Sequence, residues 1–281
     1  MTTALKLLRF PLVLLVIEAL VLASIAALYS TSARRLGVPG EGPLHLLGGL
    51  GLAVIVVLTH KALRRWLEGA RDTDFAAHHA LRELGLGLGL GFALFALAAG
   101  VVAALGGLQI EGLRGLGQFW SLAAMAVTSA VFEETLFRGV LLRHIEAMAR
   151  SWVALALTAL LFGAAHLMNP HASLFAALAI AIEAGVMLGA AYLLTRRLWL
   201  AVGIHAAWNF TQGWVFSISV SGSQPPLGLL VTRAVGADWL TGGGFGLEAS
   251  IPALLVASWG GAVLLRRAMA RGALAAPPWR R

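Results

Sequence analysis

Val131-Phe132-Glu133-Glu134-Thr135-Leu136-Phe137-Arg138-Gly139 decides how the rest of the chain is read. It follows an apolar approach, Phe119 to Ala130, and runs on into Val140-Leu141-Leu142. Two adjacent carboxylates and an arginine therefore sit inside what has the composition of a membrane helix. An ionisable side chain there is costly and marks a functional position whose partner must be found. Residues four apart share a helix face, whereas neighbours point about 100° apart. Glu134 and Arg138 are expected to pair. Glu133 shares its face with Ala130 and Phe137 and is left for something outside the helix. A reading in which both acids serve only a buried structural network stands beside this one.

The surroundings settle the class. Of 281 residues, 59% are hydrophobic and only 12% charged, with a mean hydropathy of +0.84. A soluble domain would carry about twice that charge. Apolar runs long enough to cross a bilayer recur at about 10–29, 44–60, 86–106, 119–142, 151–168, 172–194, 198–218 and 249–265. The expectation is an all-α, polytopic membrane bundle of eight helices in one domain (1–281), with 119–210 as its motif core and 61–85 as an amphipathic connection. Eight spans put both termini on one side. That side collects 17 of the 21 Lys and Arg, leaving only Arg34, Arg35, Arg114 and Arg233 opposite. The positive-inside bias makes it the cytoplasmic side, so both termini are cytoplasmic. Trp120, Trp152, Trp199 and Trp259 fall near span ends, where interfacial tryptophans belong. The absence of cysteine excludes disulfides and thiol nucleophiles. The charge of +8 follows the membrane topology, so nucleic acid is not an expected partner.

Along the chain, the first run is too long for an ordinary signal sequence and reads as a retained helix, with Glu18 as a helix–helix contact or cavity-wall residue. His78-His79 lacks a third ligand nearby. Gly85/Gly89 and Gly87/Gly91 are small-xxx-small pairs suited to a close helix crossing. Gly242-Gly243-Gly244-Phe245-Gly246 reads as a flexible external loop. The fifth run ends Phe162-Gly163-Ala164-Ala165-His166-Leu167-Met168-Asn169-Pro170-His171, where Pro170 cannot continue a helix. Asn169 and His171 then lie in broken, internally lined backbone. Glu183 is a further intramembrane acid. In the seventh run His205 and Asn209 are four apart and face one way.

Glu133, His166, His205 and Asn209 can form one polar site. There is no Gly-x-Ser-x-Gly elbow and no His-Glu-x-x-His zinc helix. A Glu with a neighbouring imidazole can activate water as a general base. A second His and an Asn amide can donate to an oxygen that gains negative charge. That combination suits hydrolysis of a peptide or amide without a covalent intermediate, and it calls for no cofactor or metal.

Glu133-Glu134-x-x-x-Arg138, Phe162-x-x-x-His166 and His205-x-x-x-Asn209 resemble the motifs of the CAAX protease and bacteriocin-processing family, Abi or Rce1-type intramembrane glutamic endopeptidases. The resemblance runs from about Phe119 to Phe210. It implies Glu133 as the base, His166 as its helper, His205 and Asn209 as oxyanion donors, and Glu134 and Arg138 as supports beside Phe162. It also implies a bacterial or archaeal inner-membrane protein acting on a prenylated, leader-bearing or otherwise membrane-associated peptide.

Two other readings remain: a proton-coupled transporter, although no repeat of the transporter kind is evident, and an inactive peptide-binding or immunity protein of the same fold. The spans also pose a depth problem. At ~1.5 Å per residue, Glu133 lies about 21 Å from the external start of its span and His166 about 23 Å from the cytoplasmic start of the next. Across a core of ~30 Å these depths differ by roughly 14 Å. His205, seven residues into its span, favours a site in the cytoplasmic half.

Overall fold

A computed structural model describes residues 9–275. Lys6, Arg280 and Arg281, counted above on the basic side, lie outside them. The architecture is a helical membrane bundle: α1 (Pro11–Arg35), α2 (Pro43–Trp66), α3 (Ala80–Ala104), α4 (Phe119–Glu134), α5 (Arg143–Ala165), α6 (Leu174–Ile180), α7 (Met187–Thr195), α8 (Trp199–Phe210), α9 (Asp238–Thr241) and α10 (Ile251–Ala270). Its only sheet among the described residues is a small antiparallel ribbon, β1 (Leu108–Leu113) with β2 (Leu230–Ala234).

The eight crossings emerge from these elements once three π-helical turns are included. Thr135–Leu142 joins α4 to α5, Ala181–Val186 joins α6 to α7, and Thr211–Val215 extends α8. The reversal between the fourth and fifth crossings is a single residue. Arg150 takes φ 71° and ψ 169° inside an otherwise continuous helix. The 61–85 stretch takes in the end of α2, which continues to Trp66, then residues 67–79, and the start of α3 at Ala80.

Close packing is local and specific. A Cβ on Gly87 or Gly91 would run into the backbone of Leu200, Gly203 or Ile204, so α3 crosses α8 at backbone contact. Gly85 and Gly89 have open space where a side chain would go. Only one of the two glycine pairs is used. Phe95 and Trp208 meet edge to face at that interface, their ring centroids 5.3 Å apart, within the roughly 4.5–7 Å such pairs prefer. On the outside of the bundle, Leu20, Leu28, Leu47, Val54, Leu58 and Leu86 remain exposed, as a lipid-facing surface requires.

The loops separate cleanly between the two ends. One end carries 36–42, the β-ribbon, 166–173 and the long segment 216–250. The other carries 67–79, the Arg150 turn, Arg196-Arg197 and both described chain ends. The Gly242–Gly246 segment is not loose, because Phe245 is 2% exposed and packs with Phe137 and Phe162.

Candidate active site

The paired acids divide as their helical positions require. Glu134 is wholly buried and its Oε1 accepts from Arg138 Nη1 at 2.8 Å. Arg138 reaches further than its pairing requires. Its Nη2 donates to the carbonyls of Ala184 (2.8 Å) and Gly185 (3.2 Å) in the second π turn. The guanidinium also lies 4.7 Å from the centre of the Phe162 ring, a cation–π contact. One ion pair thus ties the fourth, fifth and sixth crossings together. Glu133 behaves differently. Its Oε2 has no hydrogen-bond partner, and the side chain, 25% exposed, faces a cavity.

That cavity, about 780 Å³, is lined by Glu133, His166, His205 and Asn209 together. The four residues come from three separate stretches of chain, and the fold brings them to one space. Phe162 is buried behind them, its ring 4.9 Å from that of His166 and 6.2 Å from that of His205. Asn169 and Pro170 also line the cavity. His171 does not; it lies against Gly244.

Hydrogen bonds fix how each polar group is presented. His166 Nδ1 lies 2.7 Å from the Phe162 carbonyl, which can only accept, so this nitrogen carries the hydrogen. The Nε2 lone pair is then free to accept from a water. His205 Nδ1 lies 2.9 Å from Glu134 Oε1 and donates to it, while Nε2 stands 4.0 Å from Glu133 Oε2. Glu134 therefore does more than pair with Arg138: it orients an imidazole, as outer-shell carboxylates commonly do. With Nδ1 so engaged, Nε2 is able to donate into the cavity when the ring carries its second proton. Asn209 Nδ2 donates to Ser129 Oγ at 3.2 Å, which leaves its other amide hydrogen for the cavity.

The depth problem disappears in the geometry of the helices. The fourth crossing runs from 119 to 149, about 45 Å at ~1.5 Å per residue, longer than a ~30 Å core. The fifth, 151–165, is only about 22 Å. Neither matches the bilayer thickness, so depths counted from the helix starts were not comparable. The cavity opens at the end of the bundle that carries the β-ribbon, past Gln118 and Ser121 at the start of α4 and past the 220–227 loop.

Several neighbours were not singled out from the sequence. Ser129, one turn before Glu133, was legible as a member of the same helix face. Ser221 and Gln224 carried no signal, because they reach the cavity from a loop. Glu248 is another. It is buried, accepts from the backbone N–H and hydroxyl of Ser221, and lines a small cavity of about 40 Å³ with Glu183, His166, His205 and Asn209. Burial pushes the Glu248 carboxyl up to about 7, against the pull of its Ser221 hydrogen bonds. Glu183 faces the same space with Oε1 unpartnered.

Metal-ligand spacing occurs elsewhere. Among the described residues, the His and acid triplets close enough to share an ion are Glu18/Glu68/His144 and His60/Asp72/Asp74. Both lie toward the basic end and neither includes a cavity residue. Compared with known families, residues 115–211 match the Rce1-like model, described as type II CAAX prenyl endopeptidase Rce1-like. The chain matches no curated protein and no solved structure.

Proposed function

The chain is Rce1-like across residues 115–211, and from that premise we propose that it is an intramembrane endopeptidase in which Glu133 activates water. The observation that carries this reading is the unpartnered Glu133 carboxylate on a cavity shared with His166, His205 and Asn209. In the proposed reaction, water attacks the peptide carbonyl carbon and loses a proton to Glu133. His166 Nε2 accepts the second water hydrogen and holds the attacking oxygen in line. Charged His205 and the free Asn209 amide hydrogen donate to the carbonyl oxygen as it becomes an oxyanion. The C–N bond then breaks and Glu133 returns its proton to the leaving amine. Glu134, Arg138 and Phe162 position these groups and touch no reacting atom.

The mechanism as proposed needs no metal. The substrate is a membrane-associated peptide or protein. A prenylated C-terminal peptide and a leader-bearing precursor are the two forms to screen. Comparing membrane proteomes of cells carrying the native chain or Glu133→Gln should reveal fragments that depend on Glu133. A purified preparation should cleave the same substrate after chelation. Loss of cleavage with chelator and recovery with zinc would refute the metal-free route. If no cleavage depends on Glu133 and Asn209→Ala instead abolishes a proton-coupled flux in liposomes, the transporter reading replaces this one.

A further inference from the structure

The candidate site is open toward one membrane face and closed toward the other. Its cavity is bounded by His45 near the start of α2, Ser121 near the start of α4, Pro170 after α5, and the 220–227 loop. All of these belong to the end of the bundle that carries the β-ribbon and the long 216–250 segment. Below the cavity, toward the opposite end, stands the Glu134–Arg138 pair, both side chains no more than 1% exposed. Below that is a packed polar layer in which Arg143 bridges Glu18 and Glu68 and Asp74 bonds His60 and Tyr192. These layers stand between the basic end and Glu133.

The two ends also differ in charge. The cavity end bears four Lys or Arg in all, Arg34, Arg35, Arg114 and Arg233. The closed end bears Arg64, Arg65, Arg71, Arg196, Arg197 and others, with both described termini. Orientation in a membrane follows the basic residues flanking short loops, so the closed end is the cytoplasmic one.

We propose that the substrate reaches Glu133 from the non-cytoplasmic face, as an uncharged internal peptide segment already carried across the membrane. The cavity lining supports the second half of this statement as well as the first. Among the described residues it contains no Lys or Arg, and its one carboxylate is Glu133. A free C-terminal carboxylate brought to the scissile position would face Glu133, and the charged group beside it, His205, is already committed to the oxyanion. An internal segment brings only neutral amides, which Gln118, Ser121, Ser221 and Gln224 can hydrogen-bond. The word substrate rests on the peptidase reading; the direction of access does not.

The chain has no cysteine, so single thiols can be introduced without background. Gln224→Cys places one at the exposed cavity mouth, and Thr73→Cys places one at an exposed position of the 67–79 connection. Cells expressing each full-length variant are treated with a membrane-impermeant maleimide, before and after permeabilisation. Gln224→Cys should label in intact cells at least about tenfold more than Thr73→Cys, which should label fully only after permeabilisation. The reverse pattern, or equal labelling of both in intact cells, would overturn the proposal. A Glu133-dependent cleavage, once found, should also stop when a bulky maleimide is attached to Gln224→Cys from outside; persistence of cleavage would refute access by this route. If no Glu133-dependent cleavage exists, the peptidase reading fails while the labelling still decides the direction of access.

Discussion

The bundle buries two polar clusters, and they are built on opposite plans. Toward the basic end, each acid meets a base: Glu18 with Arg143 and His144, Glu68 with Arg64 and Arg143, Asp74 with His60. Arg143 grips Glu68 with two 2.7 Å bonds, the fork geometry that suits a guanidinium and a carboxylate. At the other end, Glu133 has no such partner, and His166, His205 and Asn209 each hold one hydrogen-bonding position open toward a cavity. Burial of charge is common to both clusters and therefore does not mark function. Unspent bonding capacity facing a space large enough for a substrate does.

The sharpest way to break the contrast is to neutralise the free acid. Glu133→Gln should fold and insert normally and lose about 10⁴ in hydrolysis, the upper end for loss of a general base, since an amide cannot take the water's proton. Turnover of the Glu133-dependent substrate together with a thermal melt checks both halves. A variant that is unstable but active would place Glu133 with the structural cluster instead.

Glu134 should show the reverse pattern first. Removing one member of a buried pair leaves the other charge uncompensated, a cost of about 3–5 kcal/mol. Glu134→Gln should therefore melt well below the native chain, and Glu134→Gln/Arg138→Met should regain part of that loss. Because Glu134 also orients His205, the stability rescue should leave turnover depressed. Full recovery of turnover in the double variant would show that the His205 contact is dispensable.

Asn209→Ala is expected to cost ~10²–10³ in turnover, or about 3–4 kcal/mol at the transition state. Peptide affinity should stay nearly unchanged, because the donor matters most once charge has developed. A change confined to KM would remove Asn209 from the oxyanion role and leave it as a tether to Ser129.

The smallest effect belongs to the charge-paired cluster at the basic end. Burial pushes the Glu68 carboxyl up, but the Arg143 hydrogen bonds and charge, with Arg64, outweigh it and hold the group below the usual range. Asp74 is likewise held down, against burial, by His60 and by the charges of Arg143 and Arg64. A carboxylate whose folded pKa is depressed stabilises above its unfolded value, ~4. That contribution fades as pH falls through the lower folded value. Melting temperature should hold down to about pH 5 and fall steeply below ~4. Glu68→Gln should flatten that acid limb at a cost of about 1.5–3 kcal/mol at neutral pH, the range for hydrogen bonds to charged groups. Cleavage should be little affected, since Glu68 is remote from the cavity.

The sequence by itself determined the membrane class, the eight crossings, the Glu134–Arg138 pair and the four polar candidates. Each of these depends on local rules: apolar length against bilayer thickness, charge at the ends, and the four-residue spacing of a helix face. The same rules were silent wherever the chain left the ideal α-helix. Three π turns lie beside the candidate site, one following Glu134, one holding Glu183 and the carbonyls that receive Arg138, and one following Asn209. Such turns have no reliable sequence pattern and cluster at functional sites. The choice of Gly87 and Gly91 over Gly85 and Gly89 depended on which face α8 occupied. Ser221, Gln224 and Glu248 joined the site through a loop whose path is set by long-range contacts such as Gly222 N–H to Phe245 O. The opening of the cavity away from the basic end was decided in the same way, because it arises from how unequal helices cross and not from any one of them.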